Sequence, residues 1–313
     1  MNATVLISML ATSVAAASPL LLAALGELVV ERSGVLNLGI EGIMLVGALT
    51  AVAATLGSGS VVVGILCAIV AGMLLGLLFA LLTVTVRADH VVAGLAMVLF
   101  GDGLSSFAGH GLVGIDVRQS VQALPIPLLS NIPALGPIFF HQNALVYLSY
   151  FMIAAVWYFL YRTRPGLALR AAGEKPSAID VVGWNVFRIR YLAVVFGAGM
   201  AGLAGAFLSV AYLNSWAEGM TAGRGWVALA LVIFAGWHPI KLLGGAYLFG
   251  FAYILIAESQ VLGGVFYLIS TYVMQMFPYL MAIIVLAVMG RRAMKRRAGA
   301  PEALALPYVR EER

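Results

Sequence analysis

The chain has 313 residues, of which 63% are hydrophobic and 10% are charged, and its formal net charge is +5 at pH 7. Soluble domains carry roughly 25% charged residues, so this composition excludes an ordinary soluble protein and predicts a polytopic membrane protein. The single cysteine, Cys67, lies in an apolar run and excludes an internal disulfide.

Nine apolar runs have, or nearly have, the length of about 20 residues that a helix needs to cross a bilayer. In chain order they are residues 3–25, 35–57, 60–84, 90–108, 142–161, 191–213, 226–237, 241–259 and 275–290. The run 226–237 is too short to cross alone, which indicates a half-helix or a helix that borrows from its flanks. We predict an all-α fold, a membrane helix bundle of about 8–10 spans, with one transmembrane domain over 1–290 and a basic tail over 291–313.

The lysines and arginines predict how the chain is oriented in the membrane. If the loop 162–190 is cytoplasmic, alternation of the spans places sixteen basic residues on that side and only Arg118 and Arg224 on the other. Basic residues concentrate in cytoplasmic loops, so a cytoplasmic C-terminus is expected.

The segment 31–42 places two carboxylates, an arginine, an amide and three glycines between two apolar runs. Lipid does not tolerate unpaired charge or unpaired backbone, so this cluster must face protein, water or a transported solute. A short polar loop between helices is one interpretation. We favour the other, a helix broken near 31–44 beside a transport path.

A weaker pattern links this segment to a later one. Residues 33–45 and residues 218–229 both show a glycine-broken, charged entry followed by an apolar helix. In the predicted topology these two helices run in opposite directions, which is the pattern of an inverted repeat. Stripes of small residues, such as Gly72 with Gly76 and the stripe at 197–205, predict close helix packing inside the bundle.

The loop 162–190 contains a predicted short helix. Pro176 is suited to its first turn, residues 177–182 continue it, and Gly183 is placed to end it. A solvated loop would need no apolar face, yet one is supplied by Ala178, Ile179, Val181 and Val182. A helix that docks on a cytoplasmic partner explains both features.

These motifs resemble a known family. The segment 26–45, which reads GELVVERSGVLNLGIEGIML, resembles the signature of permease subunits of bacterial ATP-binding cassette (ABC) importers. The group is that of branched-chain amino acid, ribose and nucleoside importers, and the likeness is greatest to nucleoside permeases. Residues 166–174 resemble the loop by which that family couples to its ATPase, and residues 223–230 and 237–239 resemble its later motifs.

The resemblance implies a multi-pass protein of the bacterial inner membrane that transports a small polar solute, most simply a nucleoside. The implied partners are a second permease subunit, two cytoplasmic ATPase domains and an external substrate-binding protein, with no nucleic acid. The chain itself has no Gly-x-x-x-x-Gly-Lys-[Ser/Thr] loop for phosphates. We therefore expect no catalytic residue and no cofactor on this chain, with ATP and Mg²⁺ held by the partner.

Two sets of residues are candidates for these roles. Substrate-path candidates are the intramembrane polar residues Asn37, Glu41, Asp102 and Glu258, each of which could instead be a buried structural contact. The predicted ATPase-coupling residues are Arg170, Gly173, Glu174, Ile179, Asp180, Val182 and Gly183. In this set Gly173 is expected to allow close backbone approach to the ATPase, the apolar pair to contact it, and the charged residues to surround the contact.

Two other functional classes are weaker. A stand-alone secondary transporter would use intramembrane acids as an ion site, and the path candidates keep that possibility open. It would have no need of the 162–190 loop. A membrane enzyme would need a positioned catalytic set, which the sequence does not show. The four histidines are scattered, so they indicate capping or interfacial roles and no metal site.

Overall fold

The computed structural model describes residues 3–119, 121–262 and 299–309, and five single residues between 273 and 287. Ten α-helices follow one another in this part of the chain. They are α1 Ala3–Arg32, α2 Ile40–Ser58, α3 Val61–Ala80, α4 His90–Gly109, α5 Ala144–Arg162, α6 Arg164–Glu174, α7 Pro176–Val181, α8 Val186–Ala206, α9 Arg224–Phe234 and α10 Pro239–Leu262.

Seven helices among the described residues are long and apolar enough to cross a membrane, which confirms the membrane helix bundle. They are α1, α2, α3 with its π-helical extension Leu81–Thr85, α4, α5, α8 with its π-helical extension Phe207–Tyr212, and α10. The predicted short run 226–237 is α9, whose 11 residues rise only about 16 Å. The ninth run, 275–290, lies almost wholly outside the described residues.

Short polar side chains cap the N-termini of several of these helices. Asp89 Oδ1 accepts the N–H groups of Val91 and Val92 at the start of α4, at 2.9 and 3.0 Å. Asn143, Thr163 and Asn185 cap α5, α6 and α8 in the same way. Each cap provides a partner for a helix N–H that the helix itself leaves free, so each fixes where a loop gives way to a helix.

Small residues bring the central helices close together. A side chain at Gly202 would overlap a carbonyl of α3, and one at Gly205 would overlap a carbonyl of α2. Gly26 of α1 and Gly197 of α8 approach each other in the same manner. The predicted small-residue stripe is therefore a packing surface, and α8 lies against α1, α2 and α3 at the centre of the bundle.

Two non-helical stretches of backbone lead into the apolar helices α2 and α9. Residues 33–39 connect α1 to α2, and residues 213–223 connect α8 to α9. A longer connection, 113–143, contains the two-stranded antiparallel sheet of β1 Ala123–Pro125 and β2 His141–Asn143. The first two stretches position the candidate site.

One end of the bundle gathers several of the basic residues, and we call it the basic end. It contains the end of α1 at Arg32, the helices α6 and α7, and the turn at Trp237 before α10. Residues 299–309, called here the C-terminal strap, pack across this end.

Candidate functional site

The non-helical segment 33–39, called here the α1–α2 break, obtains its hydrogen bonds from buried side chains. The N–H of Asn37 donates to Glu27 Oε1 at 3.0 Å, and the N–H of Leu36 donates to His90 Nδ1 at 3.2 Å. The N–H of Gly39 donates to Oδ1 of Asn37 at 3.0 Å. Inside a membrane such groups need protein partners, and here α1 and α4 supply two of the acceptors while Asn37 of the break supplies the third.

Glu41 joins the start of α2 to the start of α9. Its Oε1 accepts the hydroxyl of Thr221 and the N–H of Gly223, the latter at 2.8 Å, and its Oε2 accepts the N–H of Gly225 at 2.6 Å. A carboxylate is well suited to this place, because a helix N-terminus carries unpaired N–H groups and a partial positive charge. Glu41 thus caps a helix that lies 180 residues further along the chain.

Glycine permits the close approach that this capping needs. A side chain at Gly225 would overlap the backbone and carboxylate of Glu41, and a side chain at Gly101 of α4 would overlap Gly42. The segments 33–45 and 218–229, which share a sequence pattern, therefore meet at Glu41. Their relation as an inverted repeat stays a prediction.

The four path candidates do not lie together. Asn37 and Glu41 are buried at the α1–α2 break, and Asn37 is only 1% exposed. Asp102 is exposed on α4, beside the Gly101–Gly42 contact. Glu258 is half-buried about 29 Å along α10 from Pro239, since α10 rises about 1.5 Å per residue. The structure brings the first three to one region and leaves Glu258 on a different helix.

Trp226 is a residue of this region that sequence reasoning did not select. It is 37% exposed, and it follows Gly225 at the point where α9 touches Glu41. Asp102 follows Gly101 at the point where α4 touches Gly42. Asp102 and Trp226 each directly follow a glycine that contacts α2. The sequence signal was its place in the segment 223–230, which resembles a later motif of the permease family.

At the basic end, Arg32 and Glu31 bind the turn before α10. The guanidinium of Arg32 donates to the Trp237 carbonyl at 2.9 and 3.2 Å, and Glu31 Oε2 accepts the indole N–H of Trp237. Arg32 also lies 3.9 Å from the carboxylate of Glu174 at the end of α6. These side chains connect three chain segments that are distant in sequence.

Next to this turn, His238 stacks on Tyr161, with ring centroids 5.5 Å apart. Burial, followed by the positive charges of Lys241 and Arg32, lowers the pKa of His238 below its ordinary value. The imidazole is therefore neutral at pH 7 and behaves as an aromatic packing residue. Among the described residues, no three His, Cys, Asp or Glu side chains form a group that could hold a metal ion.

The predicted helix in the loop 162–190 is present as α7, Pro176–Val181, and Gly183 follows it with a φ of +93°. Its apolar residues Val181 and Val182 are 71% and 73% exposed, and Trp184 after them is also exposed. Ile179 and Asp180 are half-buried. The end of α7 therefore exposes apolar side chains next to one another, and its predicted role in ATPase coupling stays a prediction.

Gly173 makes a close backbone approach within its own chain, and its expected approach to the ATPase stays a prediction. Its Cα faces its own chain, where any side chain would overlap the carbonyl of Arg32 and approach Gly34. Gly173 is buried at the end of α6, so replacing it with a bulky residue would disturb the permease itself. Arg170 lies over the ring of Tyr161 at 4.8 Å, and Glu174 is exposed beside Arg32.

A further groove among the described residues lies elsewhere in the bundle. It has a volume of about 650 Å³ and is formed by α5, α10 and residues 139–140, with Tyr150, Trp157 and Tyr247 among its lining residues. Its lining is almost entirely apolar. It offers few partners to a polar solute, and it suits lipid chains better.

The chain is thus a multi-pass membrane protein in which the starts of α2 and α9 meet at the buried carboxylate of Glu41. Residues 9–288 match the family described as branched-chain amino acid transport system, permease component, and the chain belongs to this family. It is therefore the permease component of an ABC transporter. That family implies an ATPase and a substrate-binding protein as partners in general.

Three curated proteins are similar to the chain over nearly its full length. A protein of Haloferax volcanii provisionally named as the glucose ABC transporter permease protein TsgC13 is 41% identical, covering 97% of this chain and 98% of the relative. The guanosine ABC transporter permease protein NupQ of Bacillus subtilis is 35% identical over 95% of each chain. The nucleoside ABC transporter permease protein NupC of Lactococcus lactis is 34% identical over 94% of each. No solved structure matches the chain.

The Glu41 contact gives a first prediction. Replacing Glu41 with Gln leaves a donor NH₂ where an oxygen accepted an N–H, so one buried helix N–H loses its partner. We expect the free energy of unfolding in detergent to fall by about 1–3 kcal/mol. Glu218→Gln, an exposed change on the same connecting segment, is the matched control and should leave stability unaltered. Equal melting curves for both variants would contradict the capping role.

Proposed function

We propose that this permease forms the translocation path for a nucleoside in an ATP-driven importer of the cell membrane. It pairs with a second permease, a different chain, and with two cytoplasmic ATPase domains and an external binding protein. Its C-terminus lies in the cytoplasm. The observation that carries the proposal is the full-length match to this permease family, which includes relatives named for guanosine and nucleosides.

A sugar is the second candidate for the solute, because the relative named for glucose is 41% identical. The two relatives named for guanosine and for nucleosides support a nucleoside, and two exposed side chains are compatible with it. Asp102 can accept hydrogen bonds from ribose hydroxyls, and the indole of Trp226 offers a face on which a base can stack. ATP is bound and hydrolysed by the partner, since this chain has no phosphate-binding loop.

The surface of α4 supports the placement of the path. Asp102 lies near the middle of the spanning segment His90–Leu112, and it is exposed there. A carboxylate facing lipid at that depth costs about 2.5–3.5 kcal/mol on insertion scales. Helix α4 packs mainly on α2, which leaves the large side chains Leu99 and Phe107 exposed near the acid. A second permease subunit would cover these apolar residues and leave Asp102 in a water-filled path between the two subunits.

The exposed apolar side of α7 supports the coupling role. Val181, Val182 and Trp184 present apolar area at the basic end, where the positive-inside rule places the cytoplasm. We assign Ile179 and Val182 to the apolar contact with the ATPase and Asp180, Arg170 and Glu174 to its charged surroundings. Gly183 ends the helix and keeps it short enough to fit a groove.

Transport by the assembled complex tests the proposed solute. The chain is purified with its native partner subunits, placed in proteoliposomes, and supplied with binding protein and either radiolabelled guanosine or radiolabelled glucose. We expect ATP-dependent uptake of guanosine that excess unlabelled glucose does not reduce. Uptake of glucose alone would assign the permease to sugars. Uptake that an ion gradient drives without ATP would instead support the secondary transporter.

Asp102 gives a prediction on the path. Asp102→Asn keeps the size of the side chain and removes its charge, so a hydroxyl of the solute loses a charge-assisted hydrogen bond. We expect uptake by the assembled complex to fall by about tenfold, the size of one such bond. Asp116→Asn, an exposed acid in the 113–143 connection, is the control. Unchanged uptake with Asp102→Asn would remove Asp102 from the path.

The α7 surface gives a prediction on coupling. The double change Val181→Asp and Val182→Asp places two charges in the proposed apolar contact while altering only exposed side chains. We expect the permease to insert and to remain folded, but its co-purification with the ATPase should fall by about tenfold or more, because unpaired charges in an interface are costly. Leu128→Asp, an equally exposed apolar position in the 113–143 connection, is the control. Normal recovery of the ATPase with the double variant would refute the assignment.

A further inference from the structure

The C-terminal strap, residues 299–309, connects segments that the rest of the chain keeps apart. The N–H of Ala303 donates to the Gly173 carbonyl at 2.8 Å, and the N–H of Ala305 donates to the Gly34 carbonyl at 3.1 Å. Gly173 belongs to the last turn of α6, where helix carbonyls have no partner within the helix. Gly34 belongs to the α1–α2 break. Two N–H groups two residues apart therefore connect α6 to the break.

Two arginines hold the strap near its two ends. Arg32 donates to the Gly299 carbonyl at 3.2 Å, and Arg190 donates to the Leu306 carbonyl at 3.0 Å. Arg190 is only 2% exposed, so its guanidinium depends on such partners. Beyond Leu306, the ring of Tyr308 lies 5.7 Å from the ring of Phe187 at the start of α8. The strap is therefore anchored to α1 and to α8 as well.

The other contacts of α6 at this point are to Arg32 at the end of α1, and they resist separation only weakly. Gly173 packs against the Arg32 carbonyl, where a side chain would overlap it, and such van der Waals contact resists compression strongly but separation only weakly. The ion pair of Arg32 with Glu174 is 3.9 Å long and is solvent-exposed on the Glu174 side. Such a pair contributes little. Hydrogen bonds from the strap to Gly173 and Gly34 resist both directions of movement.

We propose that the C-terminal strap is the element that transmits movement from the coupling helices α6 and α7 to the α1–α2 break. A displacement of α6 moves the break through Ala303 and Ala305. The break continues directly into α2, where Glu41 holds the start of α9. One movement at the basic end thus reaches both interrupted helices beside the path. This inference rests on the proposed function and adds a positioning role for a segment outside the membrane spans.

The test uses the full complex with its native partners in two pairs of variants. Ala303→Pro removes the N–H that bonds Gly173, because proline has none. Val309→Pro, at an exposed position beyond the anchored residues, is its control. Deletion of residues 299–313 removes the whole strap, and deletion of 310–313 is the control for that change. Co-purification reports assembly in all four.

Two measurements follow on the assembled complexes. Hydrogen exchange of the amides in 33–39 and in 176–181 is recorded with and without a non-hydrolysable ATP analogue, which needs no transported solute. ATP hydrolysis and ATP-driven guanosine uptake are then measured together. We expect Ala303→Pro to abolish the exchange response of 33–39, to keep that of 176–181, and to lower guanosine uptake per ATP by about tenfold, within the range of coupling changes between linked sites.

The outcomes separate this inference from the proposed function. An exchange response of 33–39 equal to that of the wild type in Ala303→Pro would overturn the transmission role. Loss of assembly in both strap variants would also overturn it, because the strap would then serve folding. A wild-type complex that shows the exchange response but no guanosine uptake would contradict the proposed solute and leave the strap's role supported.

Discussion

Non-helical backbone inside a membrane must find its hydrogen bonds within the protein, and the arrangement of this chain depends on that constraint. At the α1–α2 break the acceptors are Glu27, His90 and Asn37, and at the start of α9 the acceptor is Glu41. Each supplies an oxygen or nitrogen that water would supply in a soluble loop. The polar residues that make the sequence unusual for a membrane protein therefore have a structural role before any role in transport.

The same constraint explains why glycine accompanies the acids. Glu41 reaches the N–H groups of α9 only because Gly225 has no side chain to hold the two backbones apart, and α4 closes over α2 only because Gly101 meets Gly42. The capping by Glu41 therefore depends on the absence of a side chain at Gly225. A substitution of either partner removes the benefit of the other, so we expect their effects on stability to be non-additive.

The sequence predicted the parts of the fold that local pattern determines. The apolar runs predicted the spanning helices. Pro176 and Gly183 predicted where α7 begins and ends. The stripe of small residues predicted which side of α8 packs against its neighbours. It did not predict that Glu41 would cap α9, or that Gly173 would meet Arg32. Both contacts join residues more than 100 positions apart, and such pairings depend on how helices pack in three dimensions.

The number of basic residues predicts orientation, but it does not show which of them make structural contacts. For orientation, sixteen lysines and arginines are treated as equivalent charges that resist crossing the membrane. In the structure Arg32 and Arg190 are largely buried and donate to backbone carbonyls of Trp237 and of the C-terminal strap. These two residues fix the geometry of the basic end, whereas an exposed residue such as Arg188 contributes charge alone. Replacing arginine with lysine would keep the charge count, but it would lose the planar set of donors that holds two chain segments at once.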